Sequence, residues 1–136
     1  MSPEEDVIGA VGFAVMSVRP GDTCLAMGIS DLPILAPSHI MNVMESACVA
    51  AMAQHLETGE TTLVDSFEVS IIDSVGIGAE IRGNARCTFV EGRDLVFLCD
   101  VYEGERHIAT ATIKRTAVER VSFLARTAAQ SILNQG

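Results

Sequence analysis

The stretch from Ser38 to Glu57, SHIMNVMESACVAAMAQHLE, constrains this chain more than any other. It holds no Gly or Pro and is rich in Ala and Met, which favour helix. Its apolar residues fall on nearly every face of that helix, so the segment has to be enclosed rather than laid on a surface. Pro37-Ser38 supplies a start, with Ser38 as a helix-capping serine, and Thr58-Gly59 supplies a stop. A chain of 136 residues has room for a single core. Whatever else folds must wrap this helix.

The remaining segments read mostly as strands. Val7 to Val18 is apolar and β-branched and ends at Pro20-Gly21-Asp22. Thr23 to Met27 reads as a short paired strand, and Gly28 to Pro37 as loop. Beyond the helix come four strand-like runs, Thr61–Ile72, Ala79–Val90, Asp94–Tyr102 and Arg106–Thr116. In the second, Ile81, Gly83, Ala85, Cys87 and Phe89 alternate with Arg82, Asn84, Arg86 and Thr88, a period of two. Glu91-Gly92-Arg93-Asp94 and Glu103-Gly104-Glu105 read as hairpin turns, so these strands are expected as antiparallel neighbours in a four-strand meander. Val118 to Leu133 reads as a terminal helix. The expected class is α+β, an antiparallel sheet wrapped around a long buried central helix. That is the hotdog architecture, in one domain spanning residues 1–136.

Composition narrows the function classes. Apolar residues make up 49% of the chain, too many for a disordered segment. They are also too many for one small domain to cover alone, which predicts a subunit interface, most simply a homodimer, with a higher oligomer also open. Nine Lys and Arg against 18 Asp and Glu leave a net charge of −9. Such a surface repels phosphate backbones and argues against nucleic acid as partner. No apolar run reaches the ~20 residues of a membrane span. The N-terminus is acidic where a signal peptide is basic, so a cytoplasmic location is expected. Cys24, Cys48, Cys87 and Cys99 are scattered without metal-ligand spacing and read as buried free thiols. No metal or cofactor is called for.

The polar exceptions on the long helix are the first candidates for chemistry. Ser38, Asn42 and Glu45 lie at i, i+4 and i+7 and share a face. Burial of Glu45 would make it a better general base; the competing reading is that it pairs with an arginine or a facing amide and serves structure alone. The N–H groups at the start of the helix can hold an oxyanion, and His39 lies within reach of a ligand there. His55 and His107 read as surface residues. Asp65 is placed to face a partner's helix and Asp73 a turn. Arg106, Lys114, Arg115, Arg120 and Arg126 form a late basic cluster, readable as a seat for coenzyme A phosphates or as a charge-balanced face.

Met44-Glu45-Ser46-Ala47-Cys48, followed by Leu56-Glu57-Thr58-Gly59-Glu60-Thr61-Thr62, resembles the hotdog thioesterases related to fluoroacetyl-CoA thioesterase. Those carry M-E-x-A on the central helix and an L-E-x-G-x-x-T exit. The likeness runs on through Leu63 to Gly78 and resumes at Val90–Arg93, at Arg115 and near Phe123, covering most of the chain from about Ile34. The resemblance implies acyl-CoA hydrolysis by a Thr–Glu–His set at a dimer interface. The family's glutamate falls on Glu45. Its threonine position is held by Pro37, with Ser38 next to it; its histidine position is held by Ile71; and a family glycine is replaced by Val64.

The expected function is therefore an acyl-CoA thioesterase-like protein acting on a small thioester. Glu45 is the base, Ser38 and Asn42 orient water or substrate, and Pro37, His39, Val64, Asp65, Ile71 and Arg115 line the substrate. The alternative is a non-catalytic protein binding acyl-CoA or a small apolar ligand. A hotdog dehydratase is a third and weaker reading, because it too needs the missing histidine.

Overall fold

The computed structural model describes residues 1–135. Five strands, β1 (Val11–Ser17), β2 (Glu60–Ile71), β3 (Glu80–Glu91), β4 (Asp94–Glu103) and β5 (Arg106–Glu119), form one antiparallel sheet in the order β1-β3-β4-β5-β2. Short helices α1 (Glu4–Val7) and α2 (Cys24–Met27) flank β1, and a 3₁₀ turn covers Pro20–Asp22. The long helix α3 (Pro37–Met52) packs on one face of the sheet, and α4 (Arg120–Gln135) follows β5.

The two glycine turns fall where expected, joining β3 to β4 and β4 to β5, with Gly92 and Gly104 at φ 61° and 57°. The meander has three strands rather than four. β2 lies beside β5 at the far edge, because the segment after Ile71 crosses over before β3 begins. Thr23–Met27 is also corrected. Thr23 makes a single bridge to Leu35, then caps α2 by accepting from the Ala26 N–H at 3.1 Å. The first strand is shorter than expected because Glu4–Val7 turns into α1.

The long helix starts one residue earlier and ends five residues sooner than predicted. Pro37 occupies its first turn, where a missing N–H costs nothing, and Ala36 precedes it as the cap residue. Ser38 is thus not the capping serine. At the other end the Ala53 N–H bonds back to the Ala50 carbonyl, tightening the last turn well before Gly59.

The core is built between α3 and the sheet. Ile40, Val43, Met44, Ala47, Cys48, Ala51 and Met52 face Ile81, Ala85, Cys87, Leu95, Phe97, Cys99 and Val101, among others. All four cysteines are buried free thiols; Cys48 and Cys99 approach to 3.6 Å between sulfurs. The hydrogen bond shared by the Cys99 and Cys48 thiols, with burial, pushes the Cys99 thiol up, and burial does the same for Cys87, so both stay protonated and unreactive.

The helix is enclosed on one side only. Ser38, Asn42, Ser46, Val49, Ala50 and Ala53 form an exposed stripe along its opposite face, so the all-round burial expected from the sequence does not occur within one chain. The helix-facing side of β2, carrying Val64, Phe67, Val69 and Ile71, is likewise left half covered.

The start of β2 is tied down electrostatically. Glu60 accepts from the Met1 ammonium at 2.6 Å, from the Glu57 N–H at 2.9 Å and from Arg93 at 2.9 Å. These contacts hold its carboxyl at about 2, with the ammonium contributing most. A depressed folded value means stabilisation that is present above the unfolded carboxylate range and lost as pH falls toward 2. The melting temperature should drop across that window, and Glu60→Gln should flatten the drop when melting is followed from pH 5 to pH 2. An unchanged slope would remove Glu60 from the acid response.

Candidate active site

Glu45 leaves α3 on the flank nearest β5 and β2. Its side chain is 35% exposed, so the full burial expected of it is not observed. The carboxylate Oε1 accepts from Arg115 Nη1 at 3.2 Å. Arg115 projects from β5 and is almost wholly buried, which is tolerable only because every part of its guanidinium is occupied. Its Nε donates to the Thr62 hydroxyl at 3.0 Å and its Nη2 to the Thr62 carbonyl at 2.9 Å. Helix and sheet are thereby joined through one charged chain of contacts, Glu45–Arg115–Thr62. Glu45 does pair with an arginine, as one reading of the sequence proposed, but it remains open to solvent on its other side.

Around this cluster the predicted residues divide. Val64 is paired with Arg115 across the β2–β5 ladder and lies 42% exposed beside it. Ile71 sits farther along β2, on the same side of the strand as Phe67 and Val69, and is 44% exposed. Pro37 and Ser38 stand exposed at the start of α3, with the Ser38 hydroxyl directed at the Met27 sulfur at 3.7 Å. Asp65 lies in a β-bulge between Val64 and Ser66; it accepts from the Thr116 hydroxyl, which also lies 3.2 Å from Asp94.

Asn42 and His39 turn toward the opposite flank. They line a groove of about 460 Å³ between α3 and β1, together with Arg19, Asp22 and Ser46. His39 Nε2 is 3.8 Å from Asp22 there. Ser38, Asn42 and Glu45 therefore share the exposed side of the helix but not one cluster. The late basic residues do not form one patch either. Arg106 pairs with Asp73 and Glu103 at one end of β5, Arg115 is buried with Glu45, and Arg120 and Arg126 lie on α4. His107 stacks on Tyr102 and contacts Asp100 at 2.8 Å on the face of the sheet away from α3.

Thr62 is the residue that sequence reasoning missed. Its only local signal is its place in the exit from the long helix; its role depends on a partner 53 residues away.

A five-stranded sheet in this order around one helix defines the hotdog thioesterase fold. A thioesterase superfamily member from Thermus thermophilus superimposes with a TM-score of 0.86 at 20% identity, covering 94% of this chain and 95% of that one. The sequence profile of the fluoroacetyl-CoA-specific thioesterases matches residues 18–121, and the chain belongs to that family. The fluoroacetyl-CoA thioesterase of Streptantibioticus cattleyicolor is 30% identical over 93 residues, 68% of this chain and 67% of that protein. A solved mutant of fluoroacetyl-CoA thioesterase in complex with fluoroacetate aligns with a TM-score of 0.83 and 26% identity, over 90% of this chain and 97% of that one.

Proposed function

We propose that residues 1–136 act as one hotdog unit that hydrolyses a small acyl-CoA thioester, with Glu45 as the general base. The observation that carries this reading is the Glu45 carboxylate itself, anchored by a buried arginine yet still about a third exposed. A fixed carboxylate with one free side can take a proton from water while the resulting hydroxide adds to the thioester carbonyl carbon. The oxyanion then collapses, expelling coenzyme A as thiolate. The positive end of α3 favours charge developing near Pro37 and Ser38. In this reading Ser38 would orient substrate at that end, and Val64 and Ile71 would line an apolar acyl site.

The same reading includes a homodimer. Its support is the uncovered stripe of α3 together with the free, partly apolar β2 edge, surfaces that a second copy would cover by joining its sheet to this one. Asp65 and the rim of the cleft would then meet the partner. In the competing reading the protein binds acyl-CoA without turning it over, which is favoured by Pro37 and Ile71 at the family's threonine and histidine positions.

A thiol-release assay over short, branched and aryl acyl-CoAs, with binding measured in parallel, separates the two. Hydrolysis of any of them above the solvent rate supports the first; binding without thiol release establishes the second. Loss of a proton carrier at position 71 should make native turnover slow. Ile71→His is expected to raise it at least ~10-fold, and more with Pro37→Thr, since such groups contribute ~10²–10⁴-fold. A folded Ile71→His protein that binds acyl-CoA and gains nothing would refute the assignment of that position.

A further inference from the structure

The last helix is built the wrong way round for a monomer. Along α4, Val121, Leu124, Ala125, Ala128 and Ile132 recur at helical spacing and form one stripe. None is buried: Val121 is 72% exposed, Leu124 60% and Ile132 68%. Phe123, the one partly covered residue, projects from the opposite side of the helix. It faces a crevice formed with Arg93, Ala117 and Val118. A surface helix ordinarily turns its apolar stripe to its own body; here the stripe points away from it. An apolar band several turns long, unlike scattered single residues, marks a contact surface.

We propose that α4 is an arm that packs on a second copy of this chain, a reading that rests on the joined-sheet dimer above. Charge favours that occupant. Of the chain's nine Lys and Arg two lie in α4, whereas none of its 18 Asp and Glu do, which leaves seven cations against 18 acids on the remainder. The arm is cationic and the body of a second copy is acidic, while the same net charge of −9 opposes approach to an anionic membrane. Register favours it as well. β5 ends at Glu119, opposite Glu60 at the start of β2. When two β2 edges join antiparallel about their middles, the start of one strand lies beside the end of the other. Each arm then begins next to the Ile71–Ile72 end of the partner's β2, where both isoleucines are about half exposed. The arm would close the end of the partner's cleft where Ile71 stands.

The test uses full-length protein in three forms: native, Val121→Asp with Leu124→Asp, and Gln130→Asp on the other side of α4. Sedimentation velocity over a dilution series gives the dimer affinity, and hydrogen exchange gives the protection of α4 on both sides of the dissociation constant. The expected result is a dimer weakened at least ~10-fold by the double variant and unaffected by Gln130→Asp. α4 should be protected only where the dimer is populated. A native dimer whose affinity ignores the double variant, with α4 exchanging freely, overturns the arm and leaves the joined sheet standing. A native protein that is monomeric throughout overturns both. Retention of α4 on phosphatidylserine vesicles through the same stripe, without concentration-dependent protection, makes a membrane the occupant instead and overturns this proposal.

Discussion

Glu45→Gln is expected to remove acyl-CoA hydrolysis almost completely, by ~10²–10⁴-fold, while substrate binding and melting temperature change little. The amide has nearly the same shape and can still accept from Arg115 Nη1, now 3.2 Å from Oε1. What it loses is the ability to take a proton from water. The measurement is thiol release under saturating substrate, with binding and thermal melting on the same preparations. If turnover persists and the melting temperature falls, Glu45 serves only to satisfy the buried guanidinium, and the base lies elsewhere.

The second large effect belongs to a residue with no side chain. α3 crosses β1 so closely that a Cβ placed on Gly12 would lie 2.2 Å from the Ala47 carbonyl oxygen and 2.3 Å from the Ala51 nitrogen. Both are helix backbone and neither can rotate aside, so Gly12→Ala must push the helix off the sheet. We expect a loss of ~3 kcal/mol or more and a melting temperature lower by roughly ten degrees or more. Gly83 provides the internal comparison. Its added Cβ would meet chiefly the Val43 Cγ1 methyl, at 2.6 Å, which a rotamer change can partly relieve. Gly83→Ala should cost distinctly less, and equal losses in chemical denaturation would show that helix position is not what Gly12 protects.

These positions also show which parts of the fold were legible beforehand. The long helix, the alternation in β3 as far as Cys87 and the two glycine turns are signals carried by neighbouring residues and are found in the structure, although the helix stops at Met52 and a bulge between Cys87 and Phe89 turns Phe89 outward and Val90 in. The order of strands is not such a signal. β2 precedes β3 in the chain yet pairs with β5, because the deciding contacts, such as Val69 opposite Ala111, join residues far apart in sequence. α2 was missed because four residues offer too short a window for periodicity; its two caps decide it, Thr23 accepting from the Ala26 N–H and Gly28 closing the other end. At the site, Glu45 stood out as a carboxylate in an apolar helix. Its partner did not, since Arg115 is 70 residues away and its strand could as well have pointed it outward. The grouping of Asn42 with Glu45 failed for a related reason. Helical spacing puts both toward the exposed side, but three residues at 3.6 per turn leave Asn42 about 60° round the helix from Glu45, and that rotation carries it with His39 to the β1 flank.

The sheet has two free edges, and only one of them is accounted for by a joined-sheet dimer. At the other, β1 offers VGFAVMS, a strand without a charge, a proline or a bulge to discourage further pairing, and it displays Val11, Phe13 and Val15 on its outer side. Resistance to strand-by-strand growth there falls to long-range repulsion between copies that each carry −9. Added salt shortens that repulsion to a few ångströms. Storage of this protein is therefore a colloidal matter: low ionic strength and a pH well above the carboxylate range keep it dispersed, whereas salting or acidifying a concentrated solution brings the unguarded β1 edges together.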